Sequence, residues 1–199
     1  MTLRPYIAAI FLSLALITTG CNPLSDPKHP RLNPHPKQAY EITMTIEGAP
    51  GPFESVKASM GFQIANASDC ASRDPISGAT PTPDYYSNIT LSQVNDYTYK
   101  GAIYLDLVEG EDYYGKGICR WKFVAVSVEL KSHDVFFASG IYLDDITSGK
   151  TVTKYMQKRF YFGSKIPNMN VFPDTLDEVV KHRGDYFSII MNAKEIAHE

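Results

Sequence analysis

Apolar and polar residues alternate with a period of two along most of the chain. Tyr40, Ile42, Met44 and Ile46 interleave with Glu41, Thr43, Thr45 and Glu47. That alternation marks a strand with one buried face. The turn Gly48-Ala49-Pro50-Gly51-Pro52 follows, and Val56, Ala58, Met60, Phe62 and Ile64 repeat the pattern. The two segments read as antiparallel neighbours. Residues 66–86 are rich in Ser, Pro, Asp and Gly and read as a loop, with a short strand at Ile89–Leu91. Tyr97, Tyr99, Ile103, Leu105 and Leu107 resume the strand pattern up to the acidic turn Glu109-Gly110-Glu111-Asp112.

The next strand spans Ile118–Leu130 and changes phase. Cys119, Trp121 and Phe123 share one parity, whereas Val124, Val126, Val128 and Leu130 share the other. One extra residue near Phe123–Val124 keeps both sets on the core side, which predicts a β-bulge there. Val135–Leu143 and Val152–Phe162 read as further strands, joined through 144–149, and Tyr186–Ala193 as the last one. Asp174–His182 reads as a short helix, with Asp174 as N-cap and Leu176, Val179 and Val180 on one face. About seven strands at this spacing predict an all-β, mainly antiparallel fold: a β-sandwich or curled sheet, Ig-like or transthyretin-like.

The first residues differ from this pattern. Arg4 precedes an apolar run from Pro5 to Ile17, interrupted only by Ser13. The run is shorter than the roughly 20 residues a membrane span needs and has the size of a signal-peptide core. It ends in Leu16-Ile17-Thr18-Thr19-Gly20-Cys21, which resembles the lipobox of bacterial lipoproteins. Thr18 stands where such motifs commonly carry Leu. The resemblance implies removal of residues 1–20 and lipidation of Cys21, which becomes the mature N-terminus. Acyl chains contribute about 0.8 kcal/mol per buried CH₂, enough in combination for a durable membrane anchor. Asn22 follows the cysteine. In enteric-type sorting an Asp there retains lipoproteins at the inner membrane, so the resemblance implies the outer membrane, facing the periplasm.

Between Cys21 and the first strand, Pro recurs at positions 23, 27, 30, 34 and 36. Residues 21–38 therefore read as an extended, Pro-rich tether and 39–199 as a single domain. Without Arg4 the 19 Lys and Arg become 18, against 22 Asp and Glu, a balance of −4. Such a charge gives no electrostatic case for binding nucleic acid.

Cys70 and Cys119 remain after Cys21 is assigned to lipid, and they suit one disulfide in an oxidising compartment. No Cys-x-x-Cys or paired His accompanies them to suggest a metal, and no cofactor motif is present. The carboxylates Asp106, Glu109, Glu111 and Asp112, and the pair Asp144 and Asp145, lack EF-hand spacing and read as solvated turns. Gly-x-Ser-x-Gly, His-Glu-x-x-His and the phosphate-cradling Gly-x-x-x-x-Gly-Lys pattern are absent from the sequence, which argues for binding rather than catalysis.

The most distinctive stretch is Asp112-Tyr113-Tyr114-Gly115-Lys116-Gly117-Ile118-Cys119-Arg120-Trp121. Its glycines fit a hairpin turn. Trp121, the single Trp, reads as a core anchor packed on the disulfide, with an aromatic ligand platform as the alternative. The stretch resembles one in small periplasmic immunity lipoproteins that neutralise secreted antibacterial effectors. That resemblance implies a rigid scaffold whose loops contact a protein partner. Tyr113, Tyr114, Tyr85 and Tyr86 are the candidate contact residues. The competing expectation is an accessory structural lipoprotein of an envelope assembly or secretion complex.

Overall fold

A computed structural model describes residues 26–197. The expected signal peptide over residues 1–20, the expected lipidation site Cys21 and the first residues of the expected tether lie outside this range. The described chain is a two-sheet sandwich of mostly antiparallel strands.

In chain order the elements are β1 (Ala39–Glu47), β2 (Ser55–Ile64), the short helix α1 (Ala67–Cys70), β3 (Asp84–Ile89), β4 (Ser92–Asn95) and β5 (Thr98–Tyr104). There follow β6 (Trp121–Ser132), β7 (Val135–Tyr142), α2 (Leu143–Thr147), β8 (Val152–Gln157), β9 (Met169–Val171), α3 (Leu176–Lys181) and β10 (Tyr186–Glu195). One sheet has the order β4-β5-β1-β10-β8 and the other β3-β2-β6-β7-β9. All pairings are antiparallel except β7 with β9.

The period-two residues meet between the sheets. Ile42, Met44 and Ile46 of β1 and Phe187, Ile189 and Met191 of β10 face Ala58, Met60 and Phe62 of β2. Val126, Val128 and Leu130 of β6 and Phe137 and Ile141 of β7 complete this layer. At one end of the sandwich Phe53 packs edge-on against Phe137 and Tyr161, with ring centroids 5.9 and 5.5 Å apart. Such edge-to-face packing adds to the area buried.

The predicted bulge is present. Gly61 pairs with Ala125 and Phe62 with Phe123, which leaves Val124 as the extra residue. Phe123 and Val126 both reach the core as a result.

Several expectations are corrected. β6 starts at Trp121 rather than Ile118; before it Cys119 makes an isolated bridge with Glu111, and Arg120 O accepts from Ala65 N just past the end of β2. The segment expected as one strand to Phe162 ends at Gln157 and tightens into a 3₁₀ turn at Lys158–Phe160. Part of the link after β7 is helical, as α2. Loop 66–86 contains α1 and the start of β3.

Thr175, not Asp174, is the N-cap of α3, and no side chain caps it. The Asp174 carboxylate instead accepts hydrogen bonds from Gln157 Nε2 and from Tyr186 Oη, the latter at 2.7 Å. These donors hold its pKa below the ordinary value, Gln157 contributing first and Tyr186 second. Of the expected apolar helix face only Val179 is buried; Leu176 and Val180 are exposed.

The largest departure concerns the tether. From Pro30 onward it is docked on the domain. Leu32 bridges Val108, the Asn33 amide donates to Leu107 O at 2.7 Å, and Glu109 N donates to Arg31 O at 3.0 Å. Arg31 pairs with Glu109, and Pro30 is buried. The Asp106 carboxylate accepts from the amides of Lys37 and Gln38 at 2.8 and 3.0 Å. Proline forbids a helix but not this edge pairing, because the intervening Arg31 and Asn33 supply the backbone partners.

Candidate functional site

Two regions are candidate sites: the disulfide-stapled end, where most of the expected contact residues lie, and the outer face of the β2–β6–β7 sheet.

At the stapled end Cys70 and Cys119 form a disulfide with a Cα separation of 5.2 Å. It joins α1 to the segment entering β6. Asn66 braces the same junction: its Oδ1 accepts from Arg120 N at 2.7 Å and its Nδ2 donates to Ile118 O at 3.0 Å. A small second core of Ile64, Ala67, Cys70, Tyr113 and Cys119 fills this end.

The Asp112 turn explains why Tyr113 points inward. The Asp112 carboxylate accepts amide hydrogens from Gly115 at 2.7 Å, Lys116 at 3.1 Å and Tyr114 at 3.3 Å. Gly115 and Gly117 take φ values of 71° and 115°, which L side chains resist. Desolvation opposes ionisation of Asp112, but the amides of Gly117, Gly115, Lys116 and Tyr114 outweigh it and lower the pKa. The turn thus folds back over its own carboxylate.

Tyr113 is only 4% exposed, and its Oη accepts a hydrogen bond from Trp121 Nε1 at 2.9 Å. Burial raises the Tyr113 pKa. Trp121 is therefore a structural anchor beside the disulfide. Tyr113 is corrected from contact residue to core. Tyr114 is half-buried, edge-on to Tyr113 at 6.4 Å. Tyr85 is half-buried and packs against Phe62 and Trp121, both at 6.3 Å, so it also serves the core. Only Tyr86 stands out, at 62% exposure.

The carboxylates of the acidic turn are engaged by the chain itself. Asp106 holds the docked N-terminal segment, Glu109 and Glu111 face Arg31, and Asp112 closes its own turn. Asp145 pairs with Lys150 at 3.1 Å. Among the described residues no group of three or more His, Cys, Asp and Glu has a metal-binding arrangement.

The two outer sheet faces differ. On the β1 side the outward residues are Glu41, Thr43, Thr45, Lys100 and Asn192, with Lys100 bonded to Glu41 at 2.6 Å. Ile190 and Tyr155 share that face, which is otherwise mostly polar. On the other side the register brings small residues together. Ser59 of β2 lies opposite Ser127 of β6, which lies opposite Gly140 of β7. Gly61 and Ala125, and Glu129 and Ala138, flank this row.

The result is an open trough of about 670 Å³. Its floor is Ser59, Ala125, Ser127, Ala138 and Gly140; Tyr142, Phe172, Asn88, Lys57, Glu129 and Lys154 also line it. Tyr142 and Phe172 are 62% and 67% exposed. Gly140 has no room for a side chain, since a Cβ there would stand 2.6 Å from Val126 O. Gly61 lets the Tyr86 ring settle against β2, as a Cβ there would stand 3.3 Å from that ring. Ser139 Oγ is buried without a hydrogen-bond partner and also borders the trough.

A floor without bulky side chains, edged by exposed aromatics and charges of both signs, is a shape that accepts protruding groups from another molecule. The sequence reading missed this face, apart from Tyr86 beside it. Its floor residues read in sequence only as the solvent side of separate strands.

A second hollow, of about 660 Å³, lies between the end of β8 and α3. It is lined by Gln157, Lys158, Arg159, Phe162, His182 and Tyr186, among others. Arg159 stacks on Phe160 at 4.6 Å and Lys158 Nζ donates to Gly184 O at 3.1 Å, so its two cations are partly committed.

The chain matches no protein-family model, no curated protein and no solved structure.

Proposed function

We propose that the chain is a lipid-anchored, protein-binding module of the cell envelope, held through Cys21 at the periplasmic face of the outer membrane. Its specific role in this reading is that of an immunity protein, an inhibitor that blocks an antibacterial effector entering the periplasm. It acts by binding rather than by catalysis.

The observation that carries the reading is the trough on the outer β2–β6–β7 face. An inhibitor needs a rigid scaffold and a complementary surface, and a pinned sheet presents such a surface at little entropic cost. Tyr86, Tyr142 and Phe172 are exposed aromatics of the kind that anchor protein interfaces. The lipobox-like end at Cys21 and the disulfide are consistent with an oxidising envelope compartment.

The test is a cross-linked pull-down from native envelopes with the chain tagged after Glu199, followed by mass spectrometry. A single stoichiometric partner whose toxicity the purified chain neutralises is the expected result. Recovery of secretion or envelope-assembly components, with an envelope defect on deletion, would replace the inhibitor role with an accessory structural one.

A further inference from the structure

We infer that the disulfide-stapled end of the sandwich rests on the lipid headgroups, so that the domain stands end-on at the membrane. The inference deepens the reading of Cys21 as a lipid anchor and rests on it.

The length of the leash limits how the domain can stand. Were residues 21–38 free, the chain between Cys21 and Gln38 could span about 60 Å at 3.3–3.6 Å per residue. The docked segment removes about half of that reach. From Pro30 onward the chain is held by burial of Pro30, the Leu32–Val108 bridge, the Arg31–Glu109 pair and the backbone bonds of Arg31 and Asn33. Only the stretch from Cys21 to Pro30 is left, a span of at most about 32 Å.

The place where the leash leaves the domain is equally defined. Arg31 N donates to Glu111 Oε2 at 3.3 Å, and Glu111 bridges Cys119. The leash therefore emerges beside the Asp112 turn and the disulfide. The opposite end of the sandwich lies a strand length away. The nine residues of β1 alone extend about 30 Å. The docked stretch adds to that distance, because Leu32 pairs with Val108 past the start of β1, so a leash of about 32 Å does not bring that far end, where Asp96 and Gly48 lie, to the bilayer.

The surface at the near end suits an interface. Ile118 is 55% exposed, and Lys116 and Arg120 flank it in the open. Tyr114 is half-buried beside them. An exposed aliphatic residue between two cations, with a tyrosine alongside, matches the headgroup layer, where apolar bodies and polar tips are both accommodated. With this end down, the trough lies along the side of the domain and stays open to the periplasm.

The test uses the full lipidated protein on vesicles of phosphatidylethanolamine and phosphatidylglycerol. Nitroxide labels are placed on Lys116→Cys and, separately, on Asp96→Cys, and their exposure to a headgroup-anchored nickel chelate is compared. We expect several-fold stronger relaxation at 116 than at 96. Energy transfer from Trp121 to dansyl-labelled headgroups supplies a variant-free check and should be efficient. Equal relaxation at both sites on membrane-bound protein would overturn the end-on arrangement while leaving the anchor intact. Protein that carries no acyl chain and does not float with the vesicles would overturn the anchor reading, and the inference with it.

Discussion

Tyr113 and Trp121 show how a residue's neighbourhood decides between contact and core. The pair sits eight positions apart around the Asp112 turn and closes through a 2.9 Å hydrogen bond. In Tyr113→Phe the indole N–H loses that acceptor at a part-buried site, which should cost about 1–2 kcal/mol. The check is a denaturant midpoint that falls at unchanged slope, followed by Trp121 fluorescence; an unshifted midpoint would contradict it. Asp112 carries a pH prediction. Its folded-state pKa lies below the ordinary 3.8. Its contribution is therefore present above the unfolded value and lost as pH falls through the folded one. The melting temperature of the wild type should exceed that of Asp112→Asn at about pH 6, and the gap should close towards about pH 2. A gap that is constant over this range would show that the charge is not what closes the turn. The sequence pointed to this stretch but not to its direction, because the inward turn depends on the carboxylate collecting successive amides.

At the level of elements, the disulfide is the strongest local constraint. It closes a separation of 49 residues that includes the long loop after α1. Replacing both cysteines with Ala should lower stability by about 4 kcal/mol on the chain-entropy estimate, read as a shift in the unfolding midpoint of the purified domain. A loss under about 1 kcal/mol would mean that the second core holds this end without the bridge. The strands and the bulge were legible because period two and its phase change at Phe123–Val124 are local signals. β9 was not legible. It has three residues and exists by parallel pairing with β7, a tertiary relation. The N-cap of α3 was misplaced for a related reason: Asp174 has the right chemistry for a cap, but Gln157 and Tyr186 claim its carboxylate. The Pro-rich stretch reads as a spacer by composition, yet residues between its prolines pair with 107–109.

For the whole molecule, the two sheets divide the labour. The β1 face satisfies itself with threonines and a Lys100–Glu41 pair, and the β2–β6–β7 face presents the trough. That face was hidden in the sequence because Ser59, Ser127 and Gly140 come from three strands, and only their register makes them neighbours. Residues 30–38 are docked along 105–109 and belong to the same body as the sandwich. The claim on which the account turns is that a protein partner seats in this trough. The most direct measurement is photo-cross-linking in intact cells challenged with the effector, with benzoylphenylalanine placed either at Tyr142 or at Thr43. The account predicts a single discrete adduct from position 142 and none from position 43. Adducts from position 43 alone, or from both faces equally, would contradict it.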